Sequence, residues 1–138
     1  MSQTPKIPNL WGHLPVEEKI RTPYVILKEQ ASLLTEMTNG LLLGNVDRED
    51  PEDGNFVCTL EIVVPSLNNY SISILIISYP INTYPCKVSS YLTDDKNIEC
   101  PTEDSLFSVI RALLSSPQVK KIISALLNEV HADVEQEA

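Results

Sequence analysis

The sequence predicts an α+β fold made of an N-terminal helix, a four-stranded antiparallel meander and two C-terminal helices. Three observations carry this. A capped run with apolar residues at helical spacing comes first, four short runs rich in strand-forming residues follow it, and two further capped helical runs close the chain. The gaps between the strand-like runs are turn-sized. Short connections join antiparallel neighbours, because a parallel crossover needs a dozen residues or more. One face of such a sheet must be covered, and the helices are the only cover available.

The chain has 138 residues, 43% of them hydrophobic. That fits one domain over residues 1–138, with an irregular arm at 1–14 and an acidic tail at 132–138. A chain of this size buries roughly two thirds of its unfolded surface, so it needs neither disulfide nor metal to fold. In the arm, Ile7, Leu10, Trp11 and Leu14 are apolar, and Pro8 and Pro15 interrupt any regular element. The arm is expected to lie against the body with Trp11, the only tryptophan, as its anchor.

The first helix starts at Thr22, a good N-cap, with Pro23 in the first helical position where a missing N–H costs nothing. Tyr24, Leu27, Ala31, Leu34 and Thr38 form its stripe, widened by Val25, Leu33 and Met37. Asn39-Gly40 ends it, with Gly40 expected at the left-handed position. Residues 41–47 read as a strand in which Gly44 marks a weak point or bulge, and 48–54 as a charged loop ending in the turn pair Asp53-Gly54. Residues 55–64 are the clearest strand. Phe56, Cys58, Leu60, Ile62 and Val64 alternate with Val57, Thr59, Glu61 and Val63, whose polarity predicts a partly exposed face.

After a turn at 65–69, residues 70–79 are rich in β-branched side chains. Strict alternation puts Ile72, Ile74 and Ile76 on one face and Ser71, Ser73, Leu75 and Ile77 on the other. The chain breaks at 80–85, and 86–92 is the fourth strand. Residues 93–97 are a polar loop. Thr102 caps a helix whose first turn carries Glu103 and Asp104, well placed for the helix dipole. Ser116-Pro117 repeats the signal and starts the last helix, lined by Val119, Ile122, Ile123, Leu126, Leu127 and Val130. From Glu129 onward the sequence turns acidic and is expected to fray.

Lys and Arg total 10 against 19 Asp and Glu, a net charge of -9. Nucleic-acid binding needs cations that displace counterions from phosphate, so an acidic chain without a basic cluster in its sequence is not expected to bind nucleic acid, short of a local patch assembled by the fold. The excess acid lies in residues 47–53 and after His131. Solvated segments are the simpler interpretation of both, and a dock for a basic partner is the functional one. The most apolar run, 72–77, is too short to span a bilayer as a helix. The N-terminus lacks the pattern of a signal peptide. Cys58, Cys86 and Cys100 are odd in number and form no C-x-x-C, which disfavours a disulfide framework or zinc site and fits a reducing, cytoplasmic setting. No cofactor and no membrane contact are expected.

The segment Tyr79-Pro80-Ile81-Asn82-Thr83-Tyr84-Pro85, after the third strand, together with the element order, resembles the ubiquitin-conjugating-enzyme-like superfamily. That group holds the conjugating enzymes, their inactive variants and RWD domains. Ser105 to Ser116 is similar to the helix that follows the cysteine region of the conjugating enzymes. The resemblance implies an opening helix, a four-stranded meander and closing helices. It also implies a His-Pro-Asn ahead of a catalytic cysteine, and here the stretch Thr93 to Cys100 contains none. Cys100 lies closer to Tyr84-Pro85 than the family pattern has it, and Pro101 follows it. The resemblance therefore points to the inactive, protein-binding branches.

Cys100 is the best candidate for chemistry, because it sits just before a helix N-terminus, where the dipole lowers a thiol pKa. Asn97 is the only nearby amide, no His is close, and Glu99, Glu103 and Asp104 oppose a thiolate, so an inert thiol near a loop is the simpler interpretation. Cys58 belongs to the core face, and Cys86 opens a strand without an activating partner. His13 and His131 lack metal-ligand spacing. The acids at 47–53 lack the register of a calcium loop.

The leading functional expectation is a non-catalytic protein-interaction module. It would bind another protein through the outer sheet face (Thr59, Glu61, Ser71, Ser73) or the loop carrying Tyr79 and Tyr84, although both tyrosines also suit bracing of the proline-rich loop. The alternatives are a cysteine-dependent thioester or transfer enzyme using Cys100, and an acidic adaptor or inhibitor masking a basic partner.

Overall fold

The computed structural model describes residues 7–15 and 21–137. Residues 1–6, within the expected arm, and Ala138 of the expected tail lie outside them. The element order is α1 (Pro23–Met37), β1 (Leu43–Glu52), β2 (Asn55–Val64), a 3-10 turn (Pro65–Leu67), β3 (Tyr70–Pro80), β4 (Cys86–Ser90), β5 (Ile98–Cys100), α2 (Glu103–Leu114) and α3 (Pro117–Glu137). The α+β class holds, and the meander has five antiparallel strands in the order β1-β2-β3-β4-β5 rather than four. The fifth pairs Lys87 with Glu99 and Cys86 with Cys100.

Local signals set the helix ends. Thr22 Oγ1 accepts from the Val25 N–H at 3.3 Å. At the other end, Asn39 (φ 52°) and Gly40 (φ 80°) both take left-handed conformations. Asn39 N–H donates to Glu36 O at 3.1 Å and Gly40 N–H to Thr35 O at 2.8 Å, the paired bonds of a Schellman cap. The C′ position is thus held by Asn39, with Gly40 one residue beyond. Thr102 and Ser105 form a reciprocal capping box at α2, at 3.1 and 3.0 Å. The last helix runs on to Glu137, so the acidic stretch continues the helix instead of fraying at Glu129.

Two corrections concern the strands. Residues 48–52 extend β1, and only Asp53 (φ 52°) and Gly54 (φ 77°) turn, as a two-residue hairpin requires. Pairing with β2 carries Arg48, Glu49 and Asp50 along an edge where their side chains stay in water. In β3, Leu60 faces Leu75 but Glu61 faces Ser73, leaving Ile74 as an extra residue. This bulge reverses the alternation. Ile72 and Ile74 point inward before it, and Leu75, Ile77 and Tyr79 point inward after it, so Ile76 turns outward opposite Thr59.

The core has two lobes, both on one face of the sheet. One joins Ile26, Leu27 and Ala31 of α1 to Leu60, Leu75, Ile77 and Val88 of the sheet and to Leu106, Ile110 and Leu113 of α2. The other joins Leu42, Ile62, Val64 and Ile74 to Val119, Leu126 and Val130 of α3. Each buried Leu, Ile or Val is worth about 1.5–3 kcal/mol. The helix stripe of α1 is narrower than its apolar composition suggests. Ile26 is fully buried, whereas Val25, Leu33 and Met37 are exposed.

Gly44 fixes how α1 meets β1. A Cβ at this position would lie 2.3 Å from Ala31 O and 2.5 Å from Ala31 Cα, both backbone atoms. The Gly44 N–H donates to Thr35 Oγ1 at 2.9 Å, and the Leu42 N–H to Thr38 Oγ1 at 3.1 Å. The glycine is a close-approach point, not a bulge. Gly44→Ala is expected to lose about 3 kcal/mol, because no backbone atom can yield without displacing the helix. Gly54→Ala, with open space around its Cβ position and only a turn φ to strain, should lose about 1 kcal/mol. Urea unfolding of the two variants measures the difference.

Candidate functional site

The buried apolar residues of α1, α2 and α3 all pack in the two core lobes, and among the described residues no helix covers the opposite face of the sheet. The pairing sets the surface rows on that face. Asn45 faces Glu61, which faces Ser73, and Asn45 Nδ2 donates to Glu61 Oε1 at 2.7 Å. Asp47, Thr59, Ile76 and Ser89 make the next row, and Glu49, Val57, Ser78, Lys87 and Glu99 the one beyond. The middle carries small hydroxyls and the Glu61 carboxylate among half-buried Val57, Val63 and Ile76. Carboxylates line the β1 side, and Lys87 stands towards the other.

Of the residues expected on this face, Ser71 is exposed and Glu61 and Ser73 are half-buried. Thr59 is different. It is only 7% exposed, hemmed in on an interior strand with Asp47 and Ile76 as its cross-strand neighbours. The isoleucine that the bulge turns outward lies directly across from Thr59 and covers it.

The two tyrosines of the Tyr79–Pro85 segment face inward. Tyr79 is 6% exposed with its ring centroid 5.5 Å from that of Phe56, and burial pushes its hydroxyl pKa up. It offers no surface to a partner. Tyr84 donates its hydroxyl to Arg21 O at 3.4 Å. Burial, helped by the Glu103 carboxylate, pushes that hydroxyl up to about 12. Both side chains brace the loop. Between them Thr83 sits at φ 78°, and the Tyr84–Pro85 peptide that follows is cis. The neighbours of Thr83 close a γ-turn, with Tyr84 N–H donating to Asn82 O at 2.9 Å, a sparsely populated backbone for a β-branched residue.

Cys100 lies on β5, fully buried, not in a loop. Directly across the ladder is Cys86, also fully buried. Sequence spacing gives no sign of this pair, because only the unexpected fifth strand brings the two positions together. Burial pushes the Cys100 thiol up, and it pushes Cys58 and Cys86 up from 9.0 to about 12. A nucleophile needs the opposite shift. Asn97 is exposed, its N–H spent on Ser89 Oγ at 2.8 Å, so the fold does not combine an amide donor with a reachable thiol. Among the described residues no group of three His, Cys, Asp or Glu side chains is placed to hold a metal.

Trp11 reverses its expected role. It is 83% exposed, with Leu10 at 89% and Ile7 at 92%, so Trp11 does not anchor the arm on the body. Asn9 organises it locally. Its Oδ1 accepts from Trp11 N–H at 3.0 Å and its Nδ2 donates to Gly12 O at 3.1 Å. The signal was present in the sequence as an Asn three residues before a Gly, a turn-forming pattern.

Comparison with protein-family models, with curated proteins and with solved structures finds no match. Among the described residues no helix is long and apolar enough to cross a membrane.

The buried thiols generate a pH dependence. Their folded pKa values lie above the unfolded value, so the fold favours neutral sulfur. That stabilisation is fully present below pH 9.0 and is lost as pH rises towards about 12, because unfolded thiols ionise first. The denaturation midpoint is expected to fall steadily through this window. A Cys58→Ala, Cys86→Ala double variant, less stable at neutral pH, should show a shallower fall. Alkylation of Cys100 in native protein should track unfolding and show no plateau below pH 8.

Proposed function

We propose that this protein is a non-catalytic protein-interaction module with a ubiquitin-conjugating-like or RWD-like fold, and that it binds a partner polypeptide over the uncovered sheet face. One observation carries the reading. All three helices are spent on one side, and among the described residues no helix covers the other side of the five-stranded sheet.

The chemistry of that face suits a flat protein surface. Ser71, Ser73 and Glu61 supply hydrogen-bonding groups that lose little side-chain entropy when held. Val57, Val63 and Ile76 supply apolar area that binding would dehydrate. The sequence of helix, meander and paired closing helices supports the fold kinship, as does the braced Tyr79–Pro85 segment between β3 and β4. The missing His-Pro-Asn and the sealed Cys100 favour a non-catalytic branch.

The test replaces Ser71 and Ser73 with Arg together. Both sit on the outer rows, so the thermal midpoint should stay within a few degrees of the wild type. Immobilised wild-type protein is expected to retain a partner that the double variant loses, and a helical-layer control, Lys121→Ala, should keep it. Identical retained sets for all three proteins would sink the proposal.

A further inference from the structure

On the helical side, away from the outer face, a furrow runs between α1 and the α2–α3 pair. Its wider part, about 540 Å³, is lined by Ile26, Phe107, Arg111, Ser115 and Lys120. A narrower part, about 210 Å³, reaches down to the sheet at Leu60, Ile62 and Ile74, with Leu33, Leu34 and Val119 on its walls. The two parts share Gln30, Met37, Leu114 and Ile123 and so form one cavity.

Its chemistry departs from that of the rest of the chain. Asp and Glu outnumber Lys and Arg by 19 to 10, yet among the described residues no carboxylate lines either part, and the two charged side chains that do are both cations. Among the described residues the only ion pair joins Arg21 to Glu29, and no described carboxylate pairs with Arg111 or Lys120. Both are exposed at the wide end, beside the α2–α3 junction. The deep end is apolar throughout its floor. On the rim, Met37 is 78% and Leu33 45% exposed, apolar area that the fold leaves in water. Methionine adapts its shape readily to a guest.

We infer that this furrow binds a single-chain aliphatic carboxylate, its methylene chain in the narrow apolar part and its carboxylate between Arg111 and Lys120. Volume and charge both select this occupant. The cavity falls within the ordinary small-ligand range of about 300–1,000 Å³. The narrow part admits a file of methylenes but not a helix, whose diameter with side chains is about 10–12 Å. A cation at each side of the mouth favours an anionic head and rejects a cationic one, which gives selectivity beyond that of apolar burial alone.

The experiment titrates the whole chain with dodecanoate below its micelle concentration and follows methyl resonances by NMR. Saturable binding is expected, with shifts at Met37, Leu34 and Ile123. Arg111→Glu with Lys120→Glu should weaken binding about tenfold while leaving the thermal midpoint near wild type, since both side chains are exposed. Dodecyltrimethylammonium, with the same chain and the opposite charge, should bind at least about tenfold more weakly than dodecanoate. Equal binding of the two amphiphiles, or equal binding by the variant, would overturn the inference. So would the absence of saturable shifts with dodecanoate when an acidic amphipathic peptide produces them, which would make the furrow a helix-binding groove. Sedimentation with oleate-containing vesicles without binding of dissolved dodecanoate would likewise assign the cations to a membrane surface. Loss of the partner in the Ser71 and Ser73 experiment has no bearing on these outcomes, because the two surfaces lie on opposite sides of the sheet.

Discussion

At Gly44 the backbone of β1 comes so close to the backbone of α1 at Ala31 that no side chain fits between them. Much of the molecule's geometry depends on that contact. With strand and helix in direct apposition, the hydroxyls of Thr35 and Thr38 reach the amides of Gly44 and Leu42, and the helix is pinned in both rotation and height. Ile26, Leu27 and Ala31 are then driven onto the sheet, and Leu33 and Met37 are turned aside. The furrow beside α1 is the space left when the helix sits tight against one edge and cannot also close upon α3.

The bulge at Ile74 solves a second problem. A strand of strict alternation offers one set of residues to one core. By inserting a residue, β3 delivers Ile74 to the lobe under α3 and the adjacent Leu75 to the lobe under α1 and α2. Consecutive residues are thereby both buried, and the two lobes share a continuous strand. The cost falls on the opposite face, where Ile76 emerges beside Thr59 and makes the open surface more apolar than its serines suggest.

The helix limits were legible in the sequence because caps act locally. Thr22-Pro23, Asn39-Gly40 and Thr102 state their roles within a few residues. The missed features depend on partners distant in the chain. Ile98–Cys100 is three residues after a polar stretch and becomes a strand only because β4 offers it a ladder. Residues 48–52 look like a loop by charge, but an edge strand tolerates charge when its side chains remain in water. Ile72, Ile74 and Ile76 are chemically identical, so no pattern could reveal where the register shifts. For the candidate surface, alternation along β2 correctly separated its two faces, while the burial of Tyr79 and Thr59 and the exposure of Trp11 are set by packing that single-residue character does not encode.

The rims of the sheet carry a consequence for self-association. An unpaired strand edge is a template on which another chain can add by backbone hydrogen bonding. Here the start of β1 has its amides taken by threonine hydroxyls of α1, and its far end carries Glu49, Asp50 and Pro51, a combination that repels or cannot pair with an incoming strand. The opposite rim is β5, three residues long and ended by Pro101. Neither border can seed an extended cross-chain ladder, so a sheet that leaves one broad face bare is still protected from growing sideways into fibrils.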